Sequence, residues 1–166
     1  MTDSDRAIVR VGQGWDLHRL EPGGPLRLGG IDVPHDRRSR GHSDGDVVLH
    51  ALTDAILGAI GAGDIGQHFS DTDPRWCDAD SVTFVEEALR LARERGCEIG
   101  SADITVILER PKLAPHREAM LRRLTEITGV SSDRLSIKAK TNEQLGAIGH
   151  GDAVAALALI GLVRRG

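Results

Sequence analysis

The sequence predicts an α+β fold, one β-sheet covered by helices, and three observations carry that expectation. Apolar residues recur three and four apart in three stretches of helical length. Other stretches alternate apolar and polar residues, and they are grouped into hairpin-like pairs rather than strictly interleaved with the helices. The chain has 166 residues, 40% hydrophobic and 28% charged, enough for one globular domain with a proper core. Residues 1–166 read as that single domain, with no repeat, low-complexity tract or charge block to mark a linker.

Taken in order, residues 7 to 33 read as strands broken by turns. AIVRVGQGWDLHRL comes first, then GGPLRLGGIDVP, in which Gly29-Gly30 invites a hairpin. From about Asp46 to Gly61 the pattern is helical, with Val48, Leu52, Ala55, Ile56 and Ala59 on one apolar face. A second helix runs from about Ser81 to Arg95, with Val82, Val85, Leu89 and Ala92 inward and Gly96 as its stop. ADITVILE is a strand ended by Pro111. Pro115 opens a third helix, with Met120, Leu124 and Ile127 inward and Gly129 closing it. RLSIKAKT alternates from Leu135 and is a strand. AVAALALIGLV reads either way, because alanine favours a helix while a short, fully apolar run suits a buried strand.

The net charge of −4 sets a field that repels nucleic acid and acidic membranes, so neither is expected as a partner. An anionic substrate must then be held by local cations or metal ions. Cys77 and Cys97 lack C-x-x-C spacing, which suits a reducing cytoplasm and argues against a disulfide scaffold or a thiolate zinc site. The start, MTDSDRAIVRV, has no signal-peptide pattern, and the apolar run from Ala153 to Val163 is too short to span a bilayer. A soluble cytoplasmic protein is expected.

Within GWDLHRL, Asp16 and His18 lie two apart. On a strand, positions i and i+2 point to one face, so an oxygen and an imidazole nitrogen could be offered together to one cation. A half-exposed strand with a polar face would carry the same pair without any ligand. On the first helix, Asp46, His50 and Asp54 fall on one stripe opposite the apolar face. His50 is then either a solvated residue or a metal ligand oriented by an outer carboxylate. The turn GHSDGDVVLH enters a helix N-terminus, where free N–H groups and the helix dipole favour phosphate. SDGD and SDTDP lack the terminal glutamate of an EF-hand loop, which excludes that calcium site. Three further loops carry chemistry: the acidic, glycine-bearing GDIGQHFSDTDP, the stiff LERPKLAPH with its lysine, and KAKTNE, which ends a strand with a hydroxyl and a carboxylate. Each alone has an ordinary structural explanation.

Read in order, GQGWDLHRL, LGGIDVP, GHSDGDVVLHALTDAILGA, GDIGQHFSDTDPRW, ADS, RPKLAPH and KAKTNEQLG resemble the 2-C-methyl-D-erythritol 2,4-cyclodiphosphate synthase family of the non-mevalonate isoprenoid pathway. The resemblance runs from about residue 8 to the C-terminus. It implies conversion of 4-diphosphocytidyl-2-C-methyl-D-erythritol 2-phosphate to the cyclic diphosphate with release of CMP. It implies a single mixed β-sheet covered on one side by helices, in a homotrimer with active sites between subunits, and it makes the terminal apolar run a strand. Zinc is implied on Asp16, His18 and His50, with a second divalent cation, magnesium or manganese, near Glu143. The residues matching His42 and Thr141 stabilise the transition state, those matching His42 and Ser43 bind phosphate, and that matching Asp64 holds sugar hydroxyls.

Substrate contacts are further implied at Asp16, Leu17 and His18, and along Ile65, Gly66, Phe69, Ser70, Asp71, Thr72 and Asp73. The cytidine diphosphate is cradled by Leu108, Glu109, Arg110, Pro111, Lys112, Leu113 and Ala114, joined by Lys140, Thr141, Asn142 and Glu143. Ala147 and His150 stand where an aromatic and an arginine are usual, at a cavity on the trimer axis able to hold an isoprenoid diphosphate, and Gln144 replaces a common lysine. Three protein ligands leave zinc a fourth position, the mark of a catalytic site. Two other functions use overlapping residues: a zinc phosphoesterase that activates water, and a nucleotide-binding module without turnover.

Overall fold

The computed structural model describes residues 7–41, 43–70, 72–76 and 79–166. Its organising strand is β1 (Ile8–Pro22), whose side chains alternate between two environments. Gly12 and Gly14 are buried beneath the first helix, α1 (Val47–Ala59). Val11, Trp15 and Leu17 point the other way and are exposed. A hairpin follows, β2 (Leu26–Leu28) and β3 (Ile31–Val33), then the short strand β4 (Arg37–Ser39). Later come α2 (Ile65–His68), α3 (Val82–Glu94), β5 (Cys97–Ile107), α4 (Arg117–Thr128), β6 (Leu135–Lys140), α5 (Gly146–Gly149) and β7 (Ala153–Arg164).

Five strands form one sheet in the order β4-β1-β7-β5-β6. The β5–β6 pair is parallel and the other pairs are antiparallel, so the sheet is mixed. The terminal apolar run is its central strand, bonded to β1 on one edge and β5 on the other. A strand with no free edge and a buried face needs apolar residues throughout. Alanine is frequent in it because α1 lies close above.

The fold class is α+β as expected, with one correction. The Gly29-Gly30 hairpin forms, both glycines having positive φ, but it is a separate two-stranded ribbon outside the main sheet. The cause is Asp46, the N-cap of α1. Its fully buried carboxylate accepts the N–H groups of Gly29 and Gly30 at 2.9 and 2.7 Å, as well as those of Val48 and Leu49. The ribbon is thereby tied to the helix end.

Helix α1 also departs from the expected amphipathic pattern. Only His50, Asp54 and Gly58 of its 13 residues escape burial, because sheet, ribbon and α3 surround it. Asp46 is therefore not part of a solvated stripe with His50 and Asp54. The other two helices follow their patterns more closely. On α3, Val85, Leu89 and Ala92 are buried, joined by Phe84 and Ala88. On α4, Met120 and Leu124 are buried, and Gly129 closes the helix in the left-handed conformation.

Candidate active site

Asp16 and His18 leave β1 on the same face as Gly12 and Gly14, so α1 runs antiparallel over them and delivers His50 from its first turn. The Asp16 Oδ2 atom lies 2.8 Å from His18 Nε2 and 3.0 Å from His50 Nδ1. The two ring nitrogens are 3.1 Å apart.

The outer nitrogen of each ring has its own partner. His18 Nδ1 is 3.2 Å from the Arg40 carbonyl oxygen, which only accepts, so Nδ1 carries a proton and donates outward. His50 Nε2 sits 2.9 Å from Ser81 Oγ and 3.0 Å from Ser43 Oγ. The Ser81 hydroxyl is committed as a donor to Asp44, so it accepts from His50 Nε2–H. The inner ring nitrogens and the Asp16 carboxylate therefore face one another at contact distance. A proton or a cation has to sit among them, and the three ligand atoms lie within 4.8 Å of one another, close enough to hold one metal ion. The donor set, two nitrogens and one oxygen, suits such an ion and leaves a further position open.

Electrostatics agrees. Burial works against the charge on Asp16, yet the hydrogen bonds and positive charge of His18 and His50 hold its carboxyl below the usual range. Burial also disfavours a charged His18, but its bond to Asp16 raises that imidazole above the ordinary value. The outer support of His50 differs from the expected carboxylates: Asp54 accepts the Ile65 N–H instead, and Asp46 serves the ribbon and helix cap. Two serine hydroxyls and Asp44 take that role. The ADS segment carried this signal, since its Ser81 opens the helix that reaches back to His50.

The other expected site residues fall into distinct groups. His42 and Asp71 lie outside the described residues. Leu17 projects to the opposite sheet face, so only its backbone is at the site, where its N–H donates to Asp16. Asp64 caps α2 by accepting the Gln67 N–H. Beyond it, Phe69 packs against Trp76 and Phe84, and Phe84 in turn lies beside the His50 ring at 5.8 Å between centroids. Ile65 is half-buried and Gly66 exposed on α2. Ser70 and Thr72 hydrogen-bond each other, and Asp73 pairs with Arg75.

At the far edge of the sheet, Leu113, Ala114, Ile137, Ala139 and Lys140 line a largely apolar cavity of about 350 Å³. The adjoining segment brings Leu108 to Lys140, whose carbonyl accepts its N–H, while Arg110 and Lys112 are exposed and Pro111 follows a cis peptide bond. Thr141 Oγ1 donates to Glu143 at 3.2 Å, and the Glu109 carboxylate accepts the N–H of Asn142. His150 and Ala147 are exposed at α5. Ala147 lines a cavity of about 450 Å³ with Leu17, Arg19, Leu20, Asp152 and Ala153. Within one chain the metal-capable trio and the Glu143 cluster do not meet, because β7 and β5 stand between β1 and β6.

A protein-family model described as the YgbB family matches residues 9–163. The chloroplastic 2-C-methyl-D-erythritol 2,4-cyclodiphosphate synthase of Catharanthus roseus is 50% identical over 165 residues, covering 99% of this chain and 70% of the relative. The Cupriavidus metallidurans enzyme of the same name is 52% identical over 157 residues, covering 95% of this chain and 94% of its own length. The chain belongs to the YgbB family, the 2-C-methyl-D-erythritol 2,4-cyclodiphosphate synthases. A solved structure of such a synthase in its CDP-bound form superposes on this YgbB chain with a TM-score of 0.86. It is 45% identical, covering 92% of this chain and 99% of that one. The chain spans only 39% of a YgbB relative that is fused, the bifunctional IspD/IspF enzyme of Rhizobium rhizogenes. Among the described residues, no helix of this YgbB chain is long and apolar enough to cross a membrane.

Proposed function

We propose that this YgbB chain converts 4-diphosphocytidyl-2-C-methyl-D-erythritol 2-phosphate to 2-C-methyl-D-erythritol 2,4-cyclodiphosphate and CMP. The observation that carries the reading is the trio of Asp16, His18 and His50, whose three ligand atoms converge while the Arg40 carbonyl and the Ser81 hydroxyl hold the outer ring nitrogens. In this reading the trio holds zinc, and Glu143 holds magnesium or manganese. When bound, the two cations neutralise charge on the phosphate oxygens and polarise the β-phosphorus. An oxygen of the substrate's 2-phosphate forms the new bond to that phosphorus, and the bond to the CMP oxygen breaks. No protein nucleophile is needed.

The chain's own residues bind and orient. His42 and Ser43 hold phosphate, Asp64 holds sugar hydroxyls, and Thr141 with His42 stabilises the oxygens that gain charge. Apolar walls at Leu113, Ala114 and Ala139 suit a flat pyrimidine, and Lys140 at the rim of that cavity suits its diphosphate. Holding both ends of one bent substrate supplies the proximity advantage.

The reading requires more than one copy. The trio and Glu143 would both have to face one diphosphate, yet three inter-strand steps put β1 about 14 Å from β6 within a chain. The trio of one subunit and the Glu143 loop of a neighbour would complete a site between them. The helix-free sheet face supports such assembly, since Val11, Trp15, Leu17 and Leu159 are exposed on it, with Trp15 at 54%. We infer the homotrimer of the family resemblance, and a cytoplasmic location from a chain with only two cysteines and no C-x-x-C spacing.

The test is product analysis on purified protein supplied with zinc and magnesium. CMP and the cyclic diphosphate are expected in equal amounts, from a particle of three chain masses by light scattering. Free phosphate would make the protein a phosphoesterase, and binding without CMP release would make it a nucleotide-binding module. A second prediction separates the two cations. Glu143→Gln keeps shape but removes the charge that attracts the second cation, so the magnesium needed for half-maximal rate should rise by about tenfold or more while bound zinc stays constant. Loss of zinc from this variant would place Glu143 in the first site instead.

A further inference from the structure

Glu143 and Gln144 are, among the described residues, the two non-glycine positions with positive φ, at 50° and 62°. Consecutive left-handed residues with side chains persist only where the surroundings over-determine them. Two neighbours do so here. The Oε2 atom of Glu109 accepts the backbone N–H of Asn142 at 3.2 Å and that of Gln144 at 3.4 Å, so one carboxylate oxygen grips the chain on both sides of Glu143. Opposite, Gly149 leaves space for the turn: a Cβ there would stand 2.2 Å from the Gln144 carbonyl carbon. Inside the turn, the Leu145 N–H donates to the Asn142 carbonyl at 2.9 Å and the Asn142 amide donates to the Leu145 carbonyl at 2.7 Å.

The acceptor at Glu109 is charged, which strengthens both bonds relative to a neutral one. It also places a second carboxylate close to the segment that carries Glu143, while directing its Oε2 at backbone rather than at substrate. We propose that Glu109 is a positioning residue: its carboxylate holds residues 142–144 in the left-handed turn that presents Glu143 to the second divalent cation. The inference rests on the reading above, in which Glu143 serves that cation. It changes the role of Glu109 from a contact to the cytidine diphosphate to a clamp between two loops.

The test uses the assembled, zinc-loaded protein with Mn2+ as an EPR-visible probe in the presence of CDP, alongside CMP release and amide exchange at residues 142–145. Glu109→Ala should raise the Mn2+ concentration for half-maximal binding by about tenfold or more, with zinc content unchanged. The 142–145 amides should exchange faster. Glu109→Gln, which keeps an acceptor oxygen, should recover most of the Mn2+ affinity. Adding Gln144→Gly to Glu109→Ala should also recover it, because glycine adopts the turn unaided.

Unchanged Mn2+ binding and amide exchange in Glu109→Ala would overturn the proposal. So would a Glu109→Gln variant that loses Mn2+ while its amides stay protected, since the charge would then act on the cation directly. Should Glu109→Ala fail to assemble, Glu109→Gln and the double variant decide by the same criteria. Wild-type protein that neither releases CMP nor binds Mn2+ with CDP would instead defeat the functional reading itself.

Discussion

Replacing His50 with alanine is expected to lower CMP release by about a thousandfold or more while the fold survives. His50 supplies one of the three converging donor atoms, and its removal leaves Asp16 and His18 as a pair on one strand. Two ligands from a single strand cannot enclose an ion as three from two elements do. The fold should survive because four of the ring's five partners are polar site residues, Asp16, His18, Ser43 and Ser81, and its one core neighbour, Phe84, keeps its contacts with Phe69 and Trp76. Alanine is moreover the best helix former for the first turn of α1. Circular dichroism and elemental zinc analysis on the purified variant check both halves. Wild-type zinc content with normal CMP release would remove His50 from the site and with it the functional reading.

Gly14→Ala is expected to be the most damaging single-methyl addition on β1. A Cβ at Gly14 would stand 1.8 Å from the Ala51 carbonyl oxygen and 2.8 Å from the Ala55 nitrogen. Those are backbone atoms of α1, so no side-chain rotation relieves the overlap. The helix itself cannot slide freely, because Asp46 ties its N-terminus to the Gly29-Gly30 turn through buried hydrogen bonds. Overpacking of this kind costs about 3 kcal/mol or more, which corresponds to a fall in melting temperature of about 6–12 °C for a chain of this size. The same displacement would carry His50 away from Asp16 and His18, so zinc affinity should fall together with stability. Thermal melts and zinc titration measure the two effects. A variant with wild-type melting temperature and zinc affinity would show that the close approach of β1 and α1 is not what positions His50.

Both predictions depend on contacts of different legibility. The face shared by Asp16 and His18 follows from strand parity and could be read directly, as could the hairpin at Gly29-Gly30 and the glycine stops after α3 and α4. That His50 completes the trio is one of two open readings of the helical stripe by itself, and the family motifs favour it. The stripe itself misled in part: Asp46 and Asp54 share a helical spacing with His50 but are spent on a cap and on the Ile65 N–H. The Ser81 hydroxyl behind His50 and the Glu109 carboxylate beneath the Glu143 turn lie 31 and 33 residues from their partners. No local pattern encodes such pairings.

By itself the sequence determined the α+β composition, the positions of most helices and strands, and the Asp16–His18 pair. These depend on periodicity and turn chemistry, which act between residues a few positions apart. Only the tertiary structure decided that the ribbon stands outside the sheet, that α1 is buried nearly all round, and that the terminal alanine-rich run is the central strand. It alone separated the metal-capable trio from the Glu143 cluster by two intervening strands. The physical reason is the same in each case. Which element covers a residue, and which distant hydrogen-bond partner claims its polar atoms, is set by packing among segments far apart in the chain, where each buried donor and acceptor must find a partner and each close approach must leave room for backbone.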